Sequence, residues 1–157
     1  MDGLKEDRLK AFFPDGKGVI LPIDHGTAIP VEGLEDPGAL IEACNPYVDG
    51  YVVNVGVAKA FGSLLEGKGV CLRTDVYKPA LEGQTDFGSV MTYTVEDALE
   101  LGADAVMNMF YLLHANESGL ARDVAALVSQ GLEAEMPLIL ESLPYGIGRP
   151  DDYTVEN

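Results

Sequence analysis

The sequence predicts an α/β protein of the (β/α)8-barrel class, present as an incomplete barrel of about five parallel strands. Three observations predict it. Apolar runs alternate with helix-like segments along the chain, which argues for a parallel sheet. The strand-like segments each end in a polar residue at the same relative place, namely Asp24-His25, Asn54, Asp75, Asn108 and Glu141. Catalytic groups of barrel enzymes sit at such C-terminal strand ends. The chain has 157 residues, whereas a full barrel needs about 250, so residues 1–157 are expected to form a single, partial barrel domain. A doubly wound sheet would need a glycine-rich phosphate turn after its first strand, and Asp24-His25-Gly26-Thr27 is not one.

The elements follow in order. Leu4 to Phe13 reads as a short amphipathic helix, closed by the turn Pro14-Asp15-Gly16. Val19 to Ile23 is an apolar run expected of a strand covered on both faces. Pro22 cannot donate to a ladder, which places this strand beside an incomplete pairing or a bulge. After a Gly- and Pro-rich loop, Asp36 caps a helix from Pro37 to Cys44. Asp49 to Asn54 is the second strand, Val57 to Leu65 a helix stopped by Gly67, and Gly69 to Asp75 the third strand. Tyr77 to Tyr93 reads as a long polar loop of functional character. Thr94-Val95-Glu96-Asp97 opens a helix with a capping box. Ala103 to Met109 is the fourth strand, Glu117 to Glu135 a helix with an apolar stripe at Leu120, Val124, Leu127 and Val128, and Pro137 to Glu141 the fifth strand. Leu143 to Gly146 is a loop, and Thr154 to Glu156 would start a further helix. A faint repeat aligns Val52 with Val106 and Asn54 with Asn108 at a period of 54.

Composition narrows the functions. Ten basic and 26 acidic residues give a net charge of −16, so the chain has no basic footprint for nucleic acid and would be repelled by an anionic membrane. No apolar run approaches the roughly 18 residues a membrane helix needs. The charged N-terminus has no signal-peptide core, and Cys44 and Cys71 read as free thiols of a cytoplasmic protein.

Several residues could carry chemistry. Asp24 follows an apolar strand and precedes Gly26, so its carboxylate could shuttle protons at a barrel rim; the plain alternative is a loop cap, with His25 in water. Glu141 either faces the cup or pairs with a cation such as Arg149. Asn54 and Asn108 could bind a substrate hydroxyl or simply end strands. Asp75 lies beside Arg73 and Lys78 and reads as half of a solvated surface pair. His25, His114, Asp24 and Glu141 have ligand chemistry, but their spacing matches no metal pattern, so no metal is expected. A Schiff-base lysine should sit at a strand end in apolar surroundings. Lys5, Lys10, Lys17, Lys59 and Lys68 fall in helices or turns and look solvent-facing, which leaves Lys78 as a remote candidate.

The run from Pro14-Asp15-Gly16 through Val19-Ile20-Leu21-Pro22-Ile23-Asp24-His25-Gly26 resembles the opening of the archaeal-type class I fructose-bisphosphate aldolases, which belong to a wider aldolase group that also includes deoxyribose-phosphate aldolase. Thr94 to Val106, Met136 to Leu140 and the glycine after Leu143-Pro144-Tyr145 resemble the same group in the same order. The resemblance implies a lyase that forms or breaks a carbon–carbon bond beside a carbonyl, with a sugar or sugar-phosphate substrate and no metal or organic cofactor. By that resemblance Asp24 would be catalytic; His25, Asn54, Asp75, Asn108 and Glu141, from their strand-end positions, and Tyr145, in the loop that follows, are expected to bind substrate. Two departures matter. The family's Schiff-base lysine lies on a sixth strand, beyond Asn157, so the isolated chain is expected to be inactive. The family's strand-five tyrosine is matched by Leu143, with Tyr145 where an arginine would stand. The alternative is a non-catalytic half-barrel whose open edges pair with a second copy, and a homo-oligomer is expected.

Overall fold

The computed structural model describes residues 3–27, 31–78 and 88–144. Tyr145, Arg149 and the helix start at Thr154 lie outside the described residues.

Five parallel strands form one sheet in the order β1 (Ile20–Pro22), β2 (Gly50–Val53), β3 (Gly69–Arg73), β6 (Ala105–Leu112) and β7 (Leu138–Pro144). Helices α2 (Pro37–Cys44), α3 (Val55–Phe61), α4 (Val95–Glu100) and α5 (Glu117–Glu133) connect them. Among the described residues strand β1 pairs with β2 alone and is an edge, which is where Pro22 can sit without breaking a ladder.

Alternation along the strands separates two apolar layers. Tyr51, Val53, Val70, Leu72 and Val106 belong to the large cluster packed with residues of α2, α3, α4 and α5. Val52, Cys71, Ala105 and Met107 form the inner cluster, closed at the N-terminal end by Phe12 of α1 (Gly3–Phe12). Phe12 lies where side chains of Gly50 and Gly69 would otherwise be: a Cβ on either glycine would come within 2.7 Å of its ring. These register partners therefore make a flat floor on which one aromatic ring seals the sheet.

The capping boxes follow the sequence. The Asp36 carboxylate accepts from Ala39 N at 3.0 Å, and Thr94 and Asp97 cap α4 reciprocally. Hydrogen bonds from Thr94 hold the Asp97 carboxyl below its ordinary value. Its contribution to stability is thus present above the usual aspartate range and is lost as pH falls through the lowered folded value. Thr94→Ala should lower stability by about 1 kcal/mol in urea denaturation at neutral pH, with a smaller difference at strongly acid pH.

Several expectations are corrected. The third strand ends at Arg73, and Asp75 opens β4 (Asp75–Lys78), which pairs antiparallel with β5 (Gly88–Met91). The two ends of the stretch read as a long loop are therefore paired strands, and residues 79–87 between them lie outside the described residues. Strands β6 and β7 run on to Leu112 and Pro144, so Asn108 and Glu141 lie within strands rather than at their ends. The repeat is off by one residue. Asp49 and Asp104 play the same part, each carboxylate accepting the N–H of the preceding strand, from Val19 at 2.8 Å and Val70 at 3.0 Å. Their spacing of 55 puts Tyr51 and Val106 on the same face, whereas the 54-residue alignment put Val52 and Val106 together although they face opposite layers.

Candidate active site

Asp24 lies two residues beyond the end of β1 and is 1% exposed. Its Oδ2 accepts from Arg73 Nη1 at 2.8 Å. Arg73 is on β3, so the contact reaches past β2. The other side of the guanidinium grips Asp75, with Nε to Oδ1 at 3.3 Å and Nη2 to Oδ2 at 3.1 Å. Asp75 Oδ1 also accepts the N–H of Met109 at 3.1 Å, which ties the cluster to β6. Asp75 is 1% exposed and Arg73 8%, so the solvated surface pair expected from sequence is instead a buried Asp–Arg–Asp cluster. Burial works against the Arg73 charge, but Asp75 and then Asp24 more than offset it and hold the guanidinium protonated above its ordinary value. Cys71, one rung below on the same face, is pushed up by burial and then by the Asp24 charge, so its thiol is inert.

The remaining sequence candidates divide. Glu141 is the register partner of Met109 and shares the inner face with it, exposed to solvent. His25 is 62% exposed, with Nδ1 3.6 Å from Asp24 Oδ1. Asn54 is spent on a cap, its Oδ1 accepting from Val57 N at 2.9 Å at the start of α3. Asn108 alternates with Met107 and Met109, and its Nδ2 donates to Thr74 Oγ1 at 3.1 Å, away from the Asp24 cluster. His114 takes the Asn116 N–H on Nδ1 at 2.9 Å beside the α5 N-terminus. Among the described residues no three His, Cys, Asp or Glu side chains come together as metal ligands.

Sequence reasoning passed over Arg73 and Tyr111. An arginine alternating with Cys71 inside an otherwise apolar strand was the available signal. Tyr111 lies two residues beyond Met109, pairs in register with Leu143, and is 6% exposed. Burial raises its hydroxyl pKa, and the Ser89 side chain and the Arg73 charge draw it back. Lys68, expected in water, donates to the carbonyls of Asn45 and Val48 at 2.7 and 2.8 Å. Lys5, Lys10, Lys17 and Lys59 are exposed, and the Lys78 side chain lies outside the described residues.

A buried ionic cluster at the C-terminal ends of parallel strands, over an apolar inner layer, is the layout of a (β/α)8-barrel enzyme cup. The chain belongs to the DeoC/LacD family of aldolases, whose model matches residues 18–157. It is 32% identical over 102 residues to 2-amino-3,7-dideoxy-D-threo-hept-6-ulosonate synthase 1 of Archaeoglobus fulgidus, covering 65% of this chain and 39% of that protein. An uncharacterized aldolase of Saccharolobus solfataricus is 26% identical, covering 93% of this chain and 58% of the relative. A solved structure of a Schiff base-forming fructose-1,6-bisphosphate aldolase superposes with a TM-score of 0.79 at 25% identity, over 96% of this chain and 61% of that one. The chain thus spans less than two thirds of the length of each. The fold is five parallel strands of a curled half-barrel with its helices. Among the described residues no helix is long and apolar enough to cross a membrane.

Proposed function

We propose that these residues form the first part of a class I aldolase cup acting on a carbonyl sugar or sugar phosphate, with Asp24 as the proton-transferring carboxylate. The observation that carries this reading is the placement of Asp24, buried after β1 and oriented by Arg73 on the inner face of a family-matched barrel portion. In such a cup an amine attacks the substrate carbonyl and expels water to give an iminium ion. A base then removes the proton of the hydroxyl on the β carbon, the bond between the α and β carbons breaks, the β carbon departs as an aldehyde, and the electrons of the broken bond pass towards the iminium nitrogen to leave an enamine. Asp24 is the carboxylate proposed to move that proton. Glu141 is a further carboxylate on the inner face, and it would meet the polar end of the substrate. Tyr145 and His25 are proposed as further substrate contacts.

The amine has to come from a strand other than these five. None of the lysines with described side chains lies on the inner face near Asp24. The 157-residue polypeptide by itself should therefore form no Schiff base. Borohydride reduction in the presence of a ketose phosphate, read by intact mass, should leave it unlabelled. A stoichiometric adduct on Lys78 or Lys59 would overturn this.

A second reading, a self-associating half-barrel, is favoured by the far edge of β7. That edge has no partner strand among the described residues, and Ile139 and Leu140 are 38% and 44% exposed. It requires a concentration-dependent dimer in sedimentation, and a monomer at all concentrations would remove it.

A further inference from the structure

We infer that Arg73 is a positioning residue for the proton-transferring carboxylate of the cup, committed to that task and not to holding a substrate anion. The inference rests on the reading of Asp24 given above. The guanidinium is a planar fork with fixed donor directions, and here both prongs are engaged by carboxylates. Asp75 fixes one side of the fork through two hydrogen bonds and is itself fixed by the Met109 N–H. The orientation of Asp24, which lies just past the short edge strand, is thereby set from β6 through Asp75 and Arg73. The residue after Asp24, His25, faces water.

Charge makes the second half of the case. Two carboxylates and one guanidinium leave the cluster at −1 in surroundings 1–8% exposed. Low exposure means weak screening, so the cluster repels a phosphate and favours a cation, such as the iminium carbon–nitrogen centre of a lysine-bound substrate. The phosphate end of a substrate must then be held elsewhere in the barrel, and the reacting carbonyl end lies over Asp24.

The test is carboxyl-carbon and arginine side-chain NMR on the 157-residue chain, which needs no turnover and is therefore independent of the borohydride experiment. In the parent chain Asp24 should give a single carboxyl signal, and Arg73 a slowly exchanging Nε–H. In Arg73→Lys, which keeps the charge but loses the fork, the Asp24 signal should shift and broaden or split while amide signals distant from the cup stay in place. Asp75→Asn, which loosens the fork without touching Asp24, should do the same and serves alone if Arg73→Lys fails to fold. An unchanged Asp24 signal in a folded variant would overturn the positioning role. Titration with inorganic phosphate should leave the Arg73 Nε–H unmoved. A saturable phosphate shift of that resonance would assign Arg73 to anion binding instead.

Discussion

Arg73→Met should lower the unfolding free energy by about 3–5 kcal/mol, the usual penalty for stranding buried charge. The change removes the cation shared by two carboxylates that are each 1% exposed. It leaves Asp24 and Asp75 without the guanidinium they share and with little access to water. Total stability of a domain this size is about 5–15 kcal/mol, so the loss takes a large share of it. The companion Asp24→Asn/Arg73→Met/Asp75→Asn should lose less, because the stranded charges go with the arginine. Urea denaturation of both variants provides the check. A loss below about 1 kcal/mol for Arg73→Met, the size of a surface pair, would mean that the cluster is hydrated and that the cup is open at this point.

Phe12→Ala is the second large effect, expected at about 3–5 kcal/mol. Phe12 is 1% exposed and is the one aromatic ring of the inner cluster. Its removal opens a cavity over Gly50 and Gly69, neither of which carries a side chain that could relax into it. The converse change, Gly69→Ala, sets a methyl group against the same ring and should cost about 1–3 kcal/mol by overpacking. If Phe12→Ala unfolds at nearly the parent urea concentration, α1 is not the floor of the barrel and the inner layer is closed by something else.

Much of the fold was legible because its signals are local. The Asp36 and Thr94 caps, the proline at the start of α2 and the apolar runs of β2 and β3 each follow from a few neighbouring residues, and each stands where its chemistry puts it. Strand ends were less legible. Met109-Phe110-Tyr111-Leu112 continues β6 only because β7 is there to pair with it, and Asp75 leaves the sheet because β5 offers it an antiparallel partner. The repeat failed by a single residue for a related reason: identity matching tracks side-chain type, whereas the true equivalence is a hydrogen-bonding role shared by Asp49 and Asp104.

The sequence by itself determined the order of the elements, the parallel character of the sheet and the family motif around Asp24, since periodicity, caps and motif order are properties of neighbours along the chain. Only the tertiary structure decided what the charged residues do. It joined Asp24 to Arg73 across 49 positions, buried Asp75 instead of leaving it in water, and turned Asn54 into a cap. The physical reason is that the worth of a charge depends on its desolvation and its partners, and both are set by strands that are distant in sequence and adjacent in the sheet.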